Sequence, residues 1–115
     1  MKTADFEPLR RLFHGDAGRV RQLLGVFAKS LGRDLEQLDT AYEGQDWSTV
    51  RLLAHKLKSG CEQIGEMAAA RGLAAIELRP LDERAAGAIA EEFAITRLEL
   101  DNVMIRVATY LKSED

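Results

Sequence analysis

One stretch of this chain concentrates residues able to do chemistry: Arg51, Leu52, His55, Lys58, Ser59, Gly60 and Glu62. Histidine is the side chain whose neutral, nucleophilic form is abundant near neutral pH. To take a phosphoryl group from an acyl phosphate, an imidazole needs one free ring nitrogen, room for a bulky tetrahedral group and positive charge close by. Lys58 stands one helical turn beyond His55 and can reach phosphate oxygens as a mobile point charge. Ser59 and Gly60 keep the helix surface low, so that another protein can approach. Leu52 is apolar on an otherwise polar face, which suits docking, and Arg51 and Glu62 complete that face.

Such chemistry requires a wet histidine on a helix. Val50, Leu53, Ala54, Leu57, Cys61 and Ile64 step by three and four along one stripe,. At about 100° per residue, His55 falls roughly 140° from a stripe centred at Val50, on the solvent side. Gly65 suits the left-handed residue that closes such a helix. If the chain reverses around Gly65–Glu66, His55 and Glu77 lie opposite each other, each about 16 Å down its own helix. Glu77 then accepts a hydrogen bond from the imidazole Nδ1–H, which fixes the tautomer, leaves Nε2 as nucleophile and stabilises the ring as it gains positive charge.

The elements that position these groups are all helical. A short first segment carries Phe6, Leu9, Leu12 and Phe13 and ends at Gly15, and Asp16 is a good N-cap for the second helix,. That helix repeats Val20, Leu23, Leu24, Phe27, Leu31, Leu35, Leu38 and Tyr42, and Gly44 closes it. Asp46 caps the third. The fourth is expected over about 66–79, burying Met67, Leu73 and Ile76, with Pro80 as its stop. The last, roughly 82–112, shows Ile89, Phe93, Leu100, Val103, Val107 and Leu111. Period-2 runs rich in Val, Ile and Thr are missing. The expectation is an all-α fold: an antiparallel four-helix bundle with a short extra N-terminal helix laid across one end, forming a single domain over residues 1–115.

The run from His55 to Gly65, His-Lys-Leu-Lys-Ser-Gly-Cys-Glu-Gln-Ile-Gly, resembles the signature of histidine-containing phosphotransfer (HPt) domains, roughly H-x-L-K-[GS]-[SG]-x4-G. Ala54, Leu73 and Glu77 fit as well, and the likeness extends from about Leu9 to Leu111. One departure is Ser59, where glycine often stands directly after the lysine. The resemblance implies that His55 accepts the phosphoryl group, that Lys58 steadies it, and that Glu77 stands where relatives often carry Glu or Gln near the imidazole. It further implies a two-component phosphorelay: response-regulator receiver domains as partners, and a sensor histidine kinase, in the manner of the C-terminal modules of hybrid kinases. No cofactor is expected on this chain, since the resemblance implies that Mg²⁺ sits in the partner receiver.

The same residues allow quieter readings. A helical adaptor that docks a kinase or receiver without being phosphorylated would need no chemistry at His55. A kinase dimerisation hairpin would carry its histidine near the start of a two-helix unit, whereas His55 lies mid-chain. Glu77 alone is also an ordinary salt-bridging carboxylate. His14 precedes Gly15 with no matching neighbours and serves as an internal negative control. Cys61 lies on the apolar stripe and reads as core. Trp47 reads as packing at the bundle end. The pair Glu91–Glu92 lacks the histidine three residues on that a bundle di-metal site uses, so no metal site is expected.

Composition sets the outer bounds. The 115 residues are 46% hydrophobic and 30% charged with a formal net charge of −3, which reads as folded rather than disordered,. No basic run offers a footprint for nucleic acid. No apolar stretch approaches the ~20 residues that span a bilayer, so no membrane contact is expected of this domain. One cysteine forms no intramolecular disulfide. The expected location is cytoplasmic, free or as the cytoplasmic part of a membrane-bound hybrid kinase. No glycine-rich phosphate loop accompanies the histidine, so the chain is expected to be a phosphotransfer intermediate without autonomous kinase activity.

Overall fold

Glycine and aspartate divide this sequence into helices, and the computed structural model, which describes residues 6–79 and 86–113, keeps those divisions. Its elements are α1 (Glu7–Leu12), α2 (Ala17–Glu43), α3 (Trp47–Ile64), α4 (Met67–Leu78) and α5 (Ala86–Lys112), with no strand among the described residues. The Asp16 side chain accepts from the Arg19 amide and Asp46 from the Thr49 amide, each satisfying an orphan donor of the first turn,. Gly65 closes α3 at φ 83°, the left-handed conformation that glycine adopts without a Cβ penalty,.

Helices α2 to α5 form an all-α bundle in which each packs on its neighbour in chain order, and α5 closes the ring against α2. The short α1 packs against α2 and α3. Ion pairs record the antiparallel register: Arg97 of α5 holds Asp39 of α2, and Arg106 of α5 holds Glu66 at the head of α4. The Arg21 guanidinium donates to the carbonyls of Tyr110, Leu111 and Ser113, tying the C-terminal turn of α5 to the start of α2,. The core is the set of inward stripes, with Val50, Leu53, Ala54, Leu57, Cys61 and Ile64 of α3 all buried. Tyr42 stacks on Phe93 at 3.8 Å and meets Trp47 edge-on at 5.8 Å, which closes the bundle end,.

Two apolar residues expected inside lie outside. Met67 is 45% exposed, because α4 turns Ala69, Ala70, Leu73 and Ile76 inward and leaves Met67 out of phase with them. Leu12 is 58% exposed: the six-residue α1 presents a single inward position, filled by Leu9, with Phe6 and Phe13 packing from its flanks. The expected start of the last helix near residue 82 and the stop at Pro80 lie outside the described residues. No helix among the described residues is long and apolar enough to cross a membrane.

Candidate functional site

The α3–α4 hairpin assembles the site. Turned at Gly65, it brings α3 and α4 alongside each other so that Glu77 meets both His55 and Lys58. The His55 side chain is 62% exposed, and its Nδ1 lies 2.5 Å from Glu77 Oε2. The other carboxylate oxygen, Oε1, accepts from Lys58 Nζ at 2.8 Å. An ionised carboxylate can only accept, so Nδ1–H is the donor and Nε2 is the ring nitrogen left available.

Electrostatics at the site stem from this shared carboxylate. The hydrogen bond from the Lys58 ammonium, and after it the one from His55, hold the Glu77 carboxyl below its ordinary range against the partial desolvation that opposes them. The same bond raises Lys58 above its usual value, assisted by the charge of Glu62. At neutral pH both partners are charged, and Glu77 is poised to balance positive charge that develops on the imidazole.

The second lysine beside the histidine is also engaged. Lys56 Nζ reaches across to Asp34 Oδ1 of α2 at 3.0 Å, and the buried Asp34 carboxylate also accepts from Ser30 Oγ. Both Lys58 and Asp34 thus have roles that helical spacing alone conceals: the lysine expected to await a phosphoryl group holds Glu77, and Asp34 breaks an otherwise apolar inward stripe. An aspartate in phase with Leu31, Leu35 and Leu38 was the available signal.

The remaining candidates separate by geometry. Leu52 is 70% exposed, and Leu78, beside Glu77 on α4, is 82% exposed. Arg51 Nη2 donates to the Arg79 carbonyl at 3.0 Å, so Leu52 and Leu78 belong to the same end of the hairpin. Sequence reasoning missed Leu78, although an apolar residue out of phase with Leu73 and Ile76 marks such a position. Ser59 and Glu62 are exposed. Gly60 has a packing reason of its own, because a Cβ there would come 2.9 Å from Phe27 Cε1 of α2. His14 sits exposed in the turn after α1, beside Arg10 and Arg11. Among the described residues no group of three or more His, Cys, Asp or Glu is arranged to hold a metal ion.

Chemically, the arrangement is an accessible imidazole with its tautomer fixed, an ammonium group within reach and exposed leucines, Leu52 and Leu78, toward one end of the hairpin. Comparison with protein-family models gives a match to the Hpt domain over residues 22–109, which spans α2 through α5 almost entirely. Searches of curated proteins and of solved structures returned no match.

Proposed function

The chain belongs to the Hpt domain family, a family of histidine phosphotransfer modules in two-component phosphorelays that work with receiver domains and kinases, and on that premise we propose that His55 is its phosphoryl-accepting residue. Its Nε2 attacks the phosphorus of a receiver phospho-aspartate in line; the N–P bond forms, the P–O bond breaks, and the receiver recovers its carboxylate. The product ring carries positive charge with Nδ1–H retained, and Glu77 balances it. Lys58 draws toward the phosphoryl oxygens. Transfer to a second receiver reverses these steps.

The single observation carrying this reading is the exposed His55 ring held through Nδ1 by a largely sheltered carboxylate that also binds Lys58. Such a module supplies a positioned nucleophile and a docking face, and the rate gain arises from proximity and orientation. Leu52, Leu78, Arg51, Ser59 and Glu62 form the face on which the receiver seats. Gly60 lies beneath it and lets Phe27 approach. The Mg²⁺ that neutralises phosphoryl charge resides in the receiver's acidic pocket. The donor kinase is a sensor histidine kinase carried in the same polypeptide or working beside it, and the exchange takes place in the cytoplasm.

The test is transfer from phosphorylated receiver domains to the intact chain and to His55→Gln. Label that is acid-labile and base-stable in the wild type and lost in the variant supports the assignment. Signalling that persists in cells carrying His55→Gln identifies a docking adaptor instead.

A further inference from the structure

The outward face of α5 is not accounted for by the bundle or by phosphotransfer. Ile95, Leu98 and Ile105 are 57%, 65% and 62% exposed, three large aliphatic side chains on the side of the helix opposite Phe93, Leu100 and Val107. Together with Asn102, also exposed, they recur at intervals of three and four, so that Ile95 and Asn102 occupy a positions and Leu98 and Ile105 occupy d positions of a heptad,. The register extends without a break to Glu91 and Lys112 as d and Thr109 as a, all exposed. Phe93, Leu100 and Val107 then fall at f, the position facing away from a coiled-coil seam, and these are the residues α5 buries in its own bundle,.

We propose that this seam is a self-association surface on which α5 pairs with α5 of a second copy of this chain, parallel and in register about a two-fold axis. The residue types choose that occupant. Ile95 at a with Leu98 at d favours two strands, a preference that Ile105 at d does not share, and the lone asparagine at a, Asn102, fixes state and register by pairing with its own counterpart across the axis,. In the antiparallel alternative Asn102 would face Leu98, leaving its amide against an aliphatic partner. Charge agrees: in the parallel arrangement Asp101 at g faces Arg106 at e of the other copy, an acid against a base. Both keep exposed edges while bound within their own molecule, Asp101 to Arg97 and Arg106 to Glu66.

The surface leaves the phosphotransfer site free. Helix α5 packs on α2 and α4, and its seam points out of the ring, whereas His55 lies on α3, diagonally across the bundle. A dimer built this way carries two accessible histidines, unlike a kinase dimerisation hairpin, whose histidine helix is part of the dimer core.

Sedimentation over a range of protein concentrations tests the proposal. The intact chain is expected to shift reversibly from monomer to dimer, and Leu98→Asp to stay monomeric with an unchanged far-UV spectrum, its site being exposed. Leu98→Cys, oxidised at dimer-forming concentration, is expected to cross-link to its own counterpart; Cys61 is buried and does not compete. A wild-type chain still monomeric at about 1 mM, the weak end of specific association, overturns the proposal. So does a dimer that survives Leu98→Asp, or one in which Leu98→Cys fails to cross-link while an equimolar mixture of Leu98→Cys and Asn102→Cys chains forms the mixed disulfide.

Discussion

Gly72 of α4 packs against Thr96 of α5, and replacing it with alanine probes how tightly the helix that carries Glu77 is seated. A Cβ at this position would stand 3.1 Å from Thr96 Cγ2 and 3.2 Å from Thr96 Cβ, and closer still to Oγ1. Thr96 is 4% exposed on the inner side of α5, so burial leaves its side chain little room to yield, and turning χ1 does not move its Cβ. The two helices must therefore move apart. Overpacking of this kind costs about 1–3 kcal/mol. Against it stands the gain of about 1 kcal/mol when a helical glycine becomes alanine. With all three conflicting atoms on one buried side chain, the cost belongs in the upper part of its range, so Gly72→Ala should destabilise by about 1–2 kcal/mol net. Urea unfolding followed by circular dichroism, at unchanged m-value, measures it. Thr96→Ala removes Oγ1 and Cγ2, and in that background Gly72→Ala should cost nothing or stabilise by up to about 1 kcal/mol, a coupling of about 1–3 kcal/mol. Because α4 also carries Glu77, phosphoryl transfer should slow in Gly72→Ala and recover in the double variant. A Gly72→Ala protein more stable than wild type, or an equal cost in both backgrounds, would refute the reasoning.

The same geometry carries three other expected outcomes. Glu77→Ala should slow phosphoryl transfer to His55 by roughly 10–100-fold, the size of loss seen when the carboxylate orienting a metal-bound imidazole is removed, while Glu77→Gln, which keeps an acceptor for Nδ1–H, should lose less; equal rates in all three proteins would remove Glu77 from the mechanism. The Glu77–Lys58 pair should stabilise the fold only between two limits. Glu77 has its pKa lowered on folding, so its contribution is present above its ordinary value of about 4.5 and is lost as pH falls below it; Lys58 has its pKa raised, so its contribution is present below 10.5 and is lost as pH climbs past it,. Unfolding titrations of wild type and Glu77→Gln should diverge inside that window and converge at both ends. Burial pushes the Cys61 thiol up to about 12, with the charges of Glu66 and then Glu62 adding to it, so a thiol reagent at pH 8 should react only as the protein unfolds,; prompt reaction of the native chain would contradict the buried placement.

Much of the architecture could be read directly from residue order. The α3 stripe named six inward positions and all six are buried, because a long amphipathic helix leaves its phase no freedom,. Asp16, Asp46 and Gly65 marked boundaries through local hydrogen bonding and a left-handed backbone, which depend on nothing distant. Counting residues away from that turn sufficed to place Glu77 opposite His55. What escaped depends on how helices meet. Met67 and Leu12 lie outside because α4 sets its phase by Ala69 and Leu73, and because α1 is too short to bury two faces. The contact of Gly60 with Phe27 belongs to the separation of α2 and α3. The capture of Lys58 by Glu77 and of Lys56 by Asp34 concerns which carboxylate a flexible ammonium group reaches first, and linear spacing along α3 carries no record of the other helices.

The most direct trial is to locate the phosphoryl group itself. The chain is incubated with a phosphorylated receiver domain, and the product is mapped by mass spectrometry of its peptides and by ³¹P NMR. One phosphoramidate is expected, on Nε2 of His55, with His14 unmodified. Label on His14, on a carboxylate or hydroxyl, or on the Nδ1 that Glu77 occupies would contradict the assignment.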